Sequence, residues 1–195
     1  VIRVVHPIEA ESYRIMRSQV DTSALPPRTR DVTERIIHTT ADPSWRDDLV
    51  TDEQALAAGA DALANGAPLV VDVAMVAAGI TRYPSICRLG ASPVDGLTRS
   101  AAGLRAAAAE APDGAVWAIG NAPTALFELL RLAGAGAVRP ALVVGLPVGY
   151  VGAAESKAAL RASGLPQLSN VSARGGSAVA AAAVNALLYG DPLHE

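Results

Sequence analysis

Residues 141–157 read Ala141-Leu142-Val143-Val144-Gly145-Leu146-Pro147-Val148-Gly149-Tyr150-Val151-Gly152-Ala153-Ala154-Glu155-Ser156-Lys157. An apolar run suited to a buried strand (Ala141 to Leu146) gives way to a glycine-spaced loop that opens into a helix beginning at Ala153. Two further segments have the same form: Gly120-Asn121-Ala122-Pro123-Thr124-Ala125-Leu126, and Arg174-Gly175-Gly176-Ser177-Ala178. In a parallel α/β sheet all strand-to-helix turns fall on one edge, beyond the C-terminal ends of the strands, and ligands bind there. The expectation is therefore a mostly parallel sheet with helices on both faces and one ligand edge.

Working outward, strands are expected at Leu69 to Val73, Val116 to Ile119 and Gln167 to Val171 in addition to the first. Between them the pattern predicts helices at Asp52 to Asn65, Thr98 to Ala109, Pro123 to Ala133 and Ala153 to Ala162, Pro123 lying inside a first helical turn. The first fifty residues are different, with two polar helices, Ile8 to Gln19 and Arg30 to Thr40, separated by a turn at Pro26-Pro27. They are expected to form a helical segment over the ligand edge. Tyr83 to Gly96, with two prolines and little periodicity, reads as a loop, a lid or a dimer arm.

The 195 residues are enough for one domain with a large core, here taken as residues 1–195. Hydrophobic residues make up 51% of the chain but aromatics only 4%, so the core must be built from Ala, Val and Leu. A net charge of −3 without a basic stripe argues against nucleic acid and membrane surfaces as partners. The longest apolar run, Val179 to Leu188, is too short to span a bilayer. A single cysteine, Cys87, excludes an intrachain disulfide framework and fits the cytoplasm; no metal-spaced histidine cluster is present. Nothing at the N-terminus resembles a signal peptide, and a chain that starts at Val1 implies a trimmed initiator region.

Of three histidines, His6 and His194 lie near the termini. His38 ends the segment Asp31-Val32-Thr33-Glu34-Arg35-Ile36-Ile37-His38, whose helical spacing sets Asp31, Glu34, Arg35 and His38 on one stripe. One reading is a solvated face with an Asp31–Arg35 ion pair. The other is a general acid at a helix C-terminus, where the dipole favours the protonated ring, with Arg35 one turn back to grip a carboxylate through its forked guanidinium.

The glycine junctions also have two readings. They can be plain turns, or helix N-termini whose backbone N–H groups receive carboxylates. Their spacing is neither Gly-x-Gly-x-x-Gly nor a phosphate loop, which ranks nucleotides low. Asp72 stands at a strand end where ligands bind, or it caps the next turn; Ser177 reads as a helix cap.

These segments together resemble the precorrin-8X methylmutases. Ile2-Arg3, Ile8, Ser12 and Arg17 match the family's opening, and Arg35-Ile36-Ile37-His38 its Arg-hydrophobic-hydrophobic-His segment. Gly66-Ala67-Pro68, Asp72, Met75-Val76, Gly79-Ile80-Thr81 and Thr98-Arg99-Ser100-Ala101-Ala102 follow in order before the three late junctions. The resemblance implies a cobalamin-pathway isomerase that moves a methyl group between neighbouring ring C carbons of a tetrapyrrole, precorrin-8X or its cobalt form, with no external cofactor and as a homodimer. It implies His38 as proton donor and acceptor, and Ser12 and Arg35 as substrate contacts. With the matched segments it extends the substrate-binding set to Arg17, Asp72, Thr81, Arg99, Asn121, Thr124, Gly149, Gly152, Arg174 and Ser177.

The chain departs from the family pattern in places. Thr39-Thr40-Ala41 replaces the usual Ala/Ser-Cys-Gly, the Tyr83 to Gly96 stretch is short, and Asn170 or Ser172 stands where an arginine is usual. Two other classes remain open: a corrinoid-binding carrier without activity, and an α/β enzyme that uses a nucleotide or S-adenosylmethionine.

Overall fold

The structure is a computed structural model that describes residues 6–190. In chain order the elements are α1 (Pro7–Gln19), α2 (Pro27–Thr40), α3 (Trp45–Asp48), β1 (Leu49–Thr51), α4 (Glu53–Ala64), β2 (Leu69–Val71), α5 (Ala74–Gly79) and β3 (Ser85–Ile86). They continue with α6 (Arg99–Ala108), β4 (Val116–Ile119), α7 (Pro123–Gly134), β5 (Leu142–Gly145), α8 (Ala153–Ala162), β6 (Gln167–Asn170) and α9 (Ser177–Tyr189). The sheet order is β1-β6-β5-β4-β2-β3. All neighbours are parallel except β1, which runs antiparallel to β6 with Leu49 opposite Asn170.

Strand residues alternate between two cores, as the two-residue repeat requires. Leu69, Val71, Val116, Ala118, Leu142 and Val144 face a layer that includes residues of α2, α4, α5 and α9. Val70, Trp117, Ile119 and Val143 face α6, α7 and α8. Helix α9, apolar around most of its circumference, is the buried spine of the first layer: it packs on β4 and β5 and is covered by α2, α4 and α5. That accounts for the apolar run 179–188 without a membrane. Ile36 and Ile37 of α2 are buried in this layer, each worth about 1.5–3 kcal/mol over an exposed position.

Several expectations change. The second helix begins at Pro27, not Arg30, because proline is well suited to a first helical turn. The strand expected over Gln167 to Val171 is β6 and ends at Asn170, and the one expected over Leu69 to Val73 is β2 and ends at Val71. The stretch from Tyr83 is not a free loop: Ser85–Ile86 pairs with β2, the Tyr83 hydroxyl donates to the carbonyls of Leu63 and Ala67 at 3.1 and 2.7 Å, and Arg88 pairs with Glu110. The segment is thus anchored over residues 83–88, while residues 92–96 are exposed.

Candidate active site

The site assembles along the seam between α1 and α2. Ser12 Oγ and His38 Nδ1 lie 2.8 Å apart in a hydrogen bond. The His38 ring stacks on Tyr13, centroids 4.9 Å apart and planes 25° from parallel. Arg35 Nη1 donates to Glu9 at 2.8 Å, and Arg17 pairs with Glu34 at 2.7 Å. Burial opposes the charge of Arg35, but the neighbouring Tyr13 phenol and Glu9 carboxylate outweigh it and raise its pKa.

The stripe read from spacing is therefore corrected. Glu34 is not on a solvated face: it is 1% exposed and accepts from Arg17 and from the Thr22 hydroxyl. The ion pair made by Arg35 is to Glu9 on the other helix. Among the described residues His6 caps α1, its Nδ1 accepting from the Ile8 N–H; Ile2, Arg3 and His194 lie outside the described residues.

His38 opens on a cleft of about 430 Å³ lined by Arg35, Thr39, Gly79, Ala178, Ala181, Ala182 and Asn185. Its floor is the outer face of α9, where small side chains leave room, and Asn185 Nδ2 donates to the Gly79 carbonyl at 2.9 Å to close one wall. The volume lies within the ~300–1,000 Å³ usual for ligand sites.

The three glycine junctions do converge at the C-terminal edge. Val148 N–H donates to the Asn121 carbonyl at 3.5 Å, Gly149 N–H to Ala173 at 3.3 Å, and Gly176 N–H to Leu146 at 2.9 Å. Gly175 allows this closeness, since a Cβ there would sit 2.2 Å from the Leu146 oxygen. The His38 cleft, however, touches this edge only at Ala178; residues 120–124 and 149–152 do not line it.

At the point where strand order reverses, between β2 and β4, a ligand crevice is expected. Here the protein fills it with its own carboxylate. Asp72, 2% exposed, accepts from the N–H groups of Gly120, Asn121 and Ala122 at 3.0, 2.9 and 2.9 Å. Burial raises the Asp72 pKa even against these three donors. Asp72 thus anchors the turn that leads from β4 into α7, with all three donors lying ahead of the first helical residue, Pro123.

Other predicted contacts are also engaged internally. Arg174 pairs with Asp42 and with Asp48 at 2.9 Å, and lies over the Trp45 ring at 4.6 Å. Asn170 and Ser172, the departures from the family pattern, both bind Asp48, at 2.9 and 2.7 Å. Burial pushes the Asp48 carboxyl up, but hydrogen bonds from Asn170, Ser172 and Arg174 outweigh it and hold the pKa at about 2. Behind the knot, fully buried Lys157 donates to Asn170 Oδ1 at 2.8 Å and to the Arg174 carbonyl at 2.6 Å; burial lowers its pKa to about 8.

Arg17 lines a separate cavity of about 280 Å³ with Thr22, Ser23, Arg30 and Glu34. Thr124 bonds Thr98 at 2.7 Å, joining the starts of α7 and α6, while Arg99, Asn121 and Thr81 are exposed. Gly152 is the N-cap of α8, and Ser177 is the first residue of α9 behind Gly176, not its cap. Among the described residues no group of three or more His, Cys, Asp or Glu is placed to hold a metal.

Residues 7–190 match the family model described as precorrin-8X methylmutase. The chain belongs to the precorrin-8X methylmutase family. A precorrin-8X methylmutase of Pseudomonas aeruginosa is 43% identical over 199 residues, covering 95% of this chain and 96% of that protein. A cobalt-precorrin-8 methylmutase of Methanocaldococcus jannaschii is 40% identical over 164 residues, covering 80% of this chain and 77% of its own length. The crystal structure of the precorrin-8X methylmutase from Thermus thermophilus superposes with a TM-score of 0.84 at 33% identity, covering 92% of this chain and 93% of that one. As a member of the precorrin-8X methylmutase family the chain is an enzyme, an isomerase of cobalamin biosynthesis. The carrier and nucleotide readings fall away, since the family model and the relatives it agrees with are methylmutases.

Sequence reasoning missed Tyr13 and Glu9 as parts of the site, and set Glu34 on the stripe without seeing that it turns inward. The available signal was charge: two polar helices in succession carry Glu9 and Arg17 on one and Arg35 and Glu34 on the other, and each finds its opposite across the seam.

Proposed function

We propose that His38 exchanges the proton that drives methyl migration on a precorrin-8 macrocycle, with Arg35 gripping a carboxylate arm at the cleft rim. The observation that carries this is the Ser12–His38 hydrogen bond at the wall of an open cleft that also holds Arg35. With Nδ1 held by Ser12, proton exchange falls to Nε2. Adding a proton to the conjugated ring makes the carbon beside the migrating methyl electron-poor. The methyl moves there with its bonding pair, and loss of the proton to the same imidazole restores neutrality. Atoms balance without a cofactor. An Arg35 guanidinium suits a carboxylate through two parallel hydrogen bonds.

The same cleft serves the metal-free and the cobalt-containing substrate in this reading, since the names of the relatives divide between the two. A homodimer in the cytoplasm completes the proposal. Fully exposed Tyr150 and Val151 at the loop before α8 offer apolar surface for such a contact, and sedimentation of the purified protein measures it. No described helix is long and apolar enough to cross a membrane.

The test is His38→Ala, followed by the visible spectrum of precorrin-8X as it converts. Positioned proton transfer contributes at least ~100-fold, so turnover should fall by that factor while product binding persists. Turnover above about a tenth of wild type would remove His38 from the role.

A further inference from the structure

The Ser12 bond holds Nδ1 of the His38 ring, and the face of the ring meets Tyr13. This residue is 1% exposed, on the same helix as Ser12 and adjacent to it, and its ring lies nearly parallel to the imidazole at 4.9 Å. Tyr13 is held in turn: the Arg17 guanidinium carbon sits 5.7 Å from its ring centre, and Arg17 is locked to Glu34, which is buried and also bonded by Thr22. A chain of contacts therefore runs Glu34–Arg17–Tyr13–His38, beginning one helical turn from His38 on its own helix and returning to it across the seam.

We propose that Tyr13 is a positioning residue for the methyl shift: its ring face, with Ser12, holds the His38 imidazole in the plane from which Nε2 addresses the cleft. The inference rests on the reading of His38 as the proton-exchanging group. Stacked aromatic pairs are favoured at centroid separations of about 4.5–7 Å, and a cationic ring over an aromatic face is favoured further. The contact is therefore retained when the imidazole carries its proton. Catalysis is sensitive to such placement, because small displacements of a reacting group cost about 10²-fold in rate. Among the described residues, the groups that touch the pair or share its cleft include Ser12 and Arg17 from α1, Arg35 from α2 with its partner Glu9, and Gly79 and Asn185 across the cleft.

The aromatic face, not the hydroxyl, is what the stack uses. Tyr13→Phe should keep kcat within about threefold of wild type. Tyr13→Leu should lower kcat by about 10- to 100-fold, a part of the ~10²–10⁴ that general acid catalysis supplies, with KM within about threefold because Arg35 still grips the substrate. Both variants are assayed beside His38→Ala with precorrin-8X and cobalt-precorrin-8. If His38→Ala stays active, the reading of His38 fails and this inference with it. If His38→Ala is dead while Tyr13→Leu matches wild type in kcat, or Tyr13→Phe falls as far as Tyr13→Leu, the positioning role alone is overturned. Should Tyr13→Leu not fold, the wild-type protein decides: nuclear Overhauser contacts between the Tyr13 and His38 ring protons support the stack, and their absence overturns it.

Discussion

Asp72 Oδ2 accepts the backbone N–H of Asn121 at 2.9 Å across the place where strand order reverses. Since Gly120 and Ala122 donate to the same carboxylate, one side chain from the end of β2 holds the whole turn after β4. Asp72→Ala leaves three backbone donors without that acceptor. The expected loss is at least about 1–3 kcal/mol, the cost of one buried group left unsatisfied, and urea unfolding measures it. An unchanged midpoint would show that water replaces the carboxylate.

Ser12 has two candidate roles that kinetics separates. The hydrogen bond to His38 predicts that Ser12→Ala lowers kcat by about three- to tenfold, from a net bond of about 0.5–1.5 kcal/mol, with KM little changed. A rise in KM at constant kcat would instead make Ser12 a substrate contact.

Ala41 ends α2 in the left-handed conformation at φ 52°, where glycine is the ordinary choice. Ala41→Gly should stabilise the protein by up to about 1 kcal/mol, since the steric penalty of a Cβ there is ~1–2 kcal/mol and glycine's extra unfolded freedom returns part of it. Thermal melting of the two proteins side by side checks the sign.

The Asp48 knot sets an acid limit. Its folded pKa, about 2, lies below the ordinary 3.8, so the stability it contributes is present above 3.8 and is lost as pH falls through about 2. Glu128 is held at about 2 by Arg131, with Arg105 adding to it, and acts in the neighbouring window below its ordinary 4.5. Asp48→Asn should therefore flatten part of the stability loss between pH 4 and 2, not all of it. Denaturant titrations at several pH values provide the measure; an identical acid slope in the variant would contradict the assignment.

The parallel sheet was legible because Val116 to Ile119 and Leu142 to Gly145 are continuous buried apolar runs, each followed by its own punctuation. Strands β1 and β3 were not legible: with three and two residues, half-buried at the edges, they carry no period to read. His38 and Arg35 could be singled out from their place near a helix end. Helical spacing alone could not show that Glu34 turns inward, because its partners Arg17 and Thr22 belong to segments whose approach is a tertiary fact. Asp72 shows the same limit from the other side: position at a strand end fits a ligand contact and a turn anchor equally well, and the three donors gathered around it are again a tertiary fact.

Helix α1 supplies Ser12, Tyr13 and Glu9 to the site, yet buries only Tyr13 and Met16 of its thirteen residues. Elements with few buried apolar contacts open at lower free energy than the rest of a fold. The wall that orients His38 is thus one of the thinly buried elements among the described residues, while the spine beneath it, α9, is among the most deeply embedded. Inactivation should then precede denaturation: under mild heat or dilute urea, activity is expected to fall while the circular dichroism of the sheet and the inner helices is still whole.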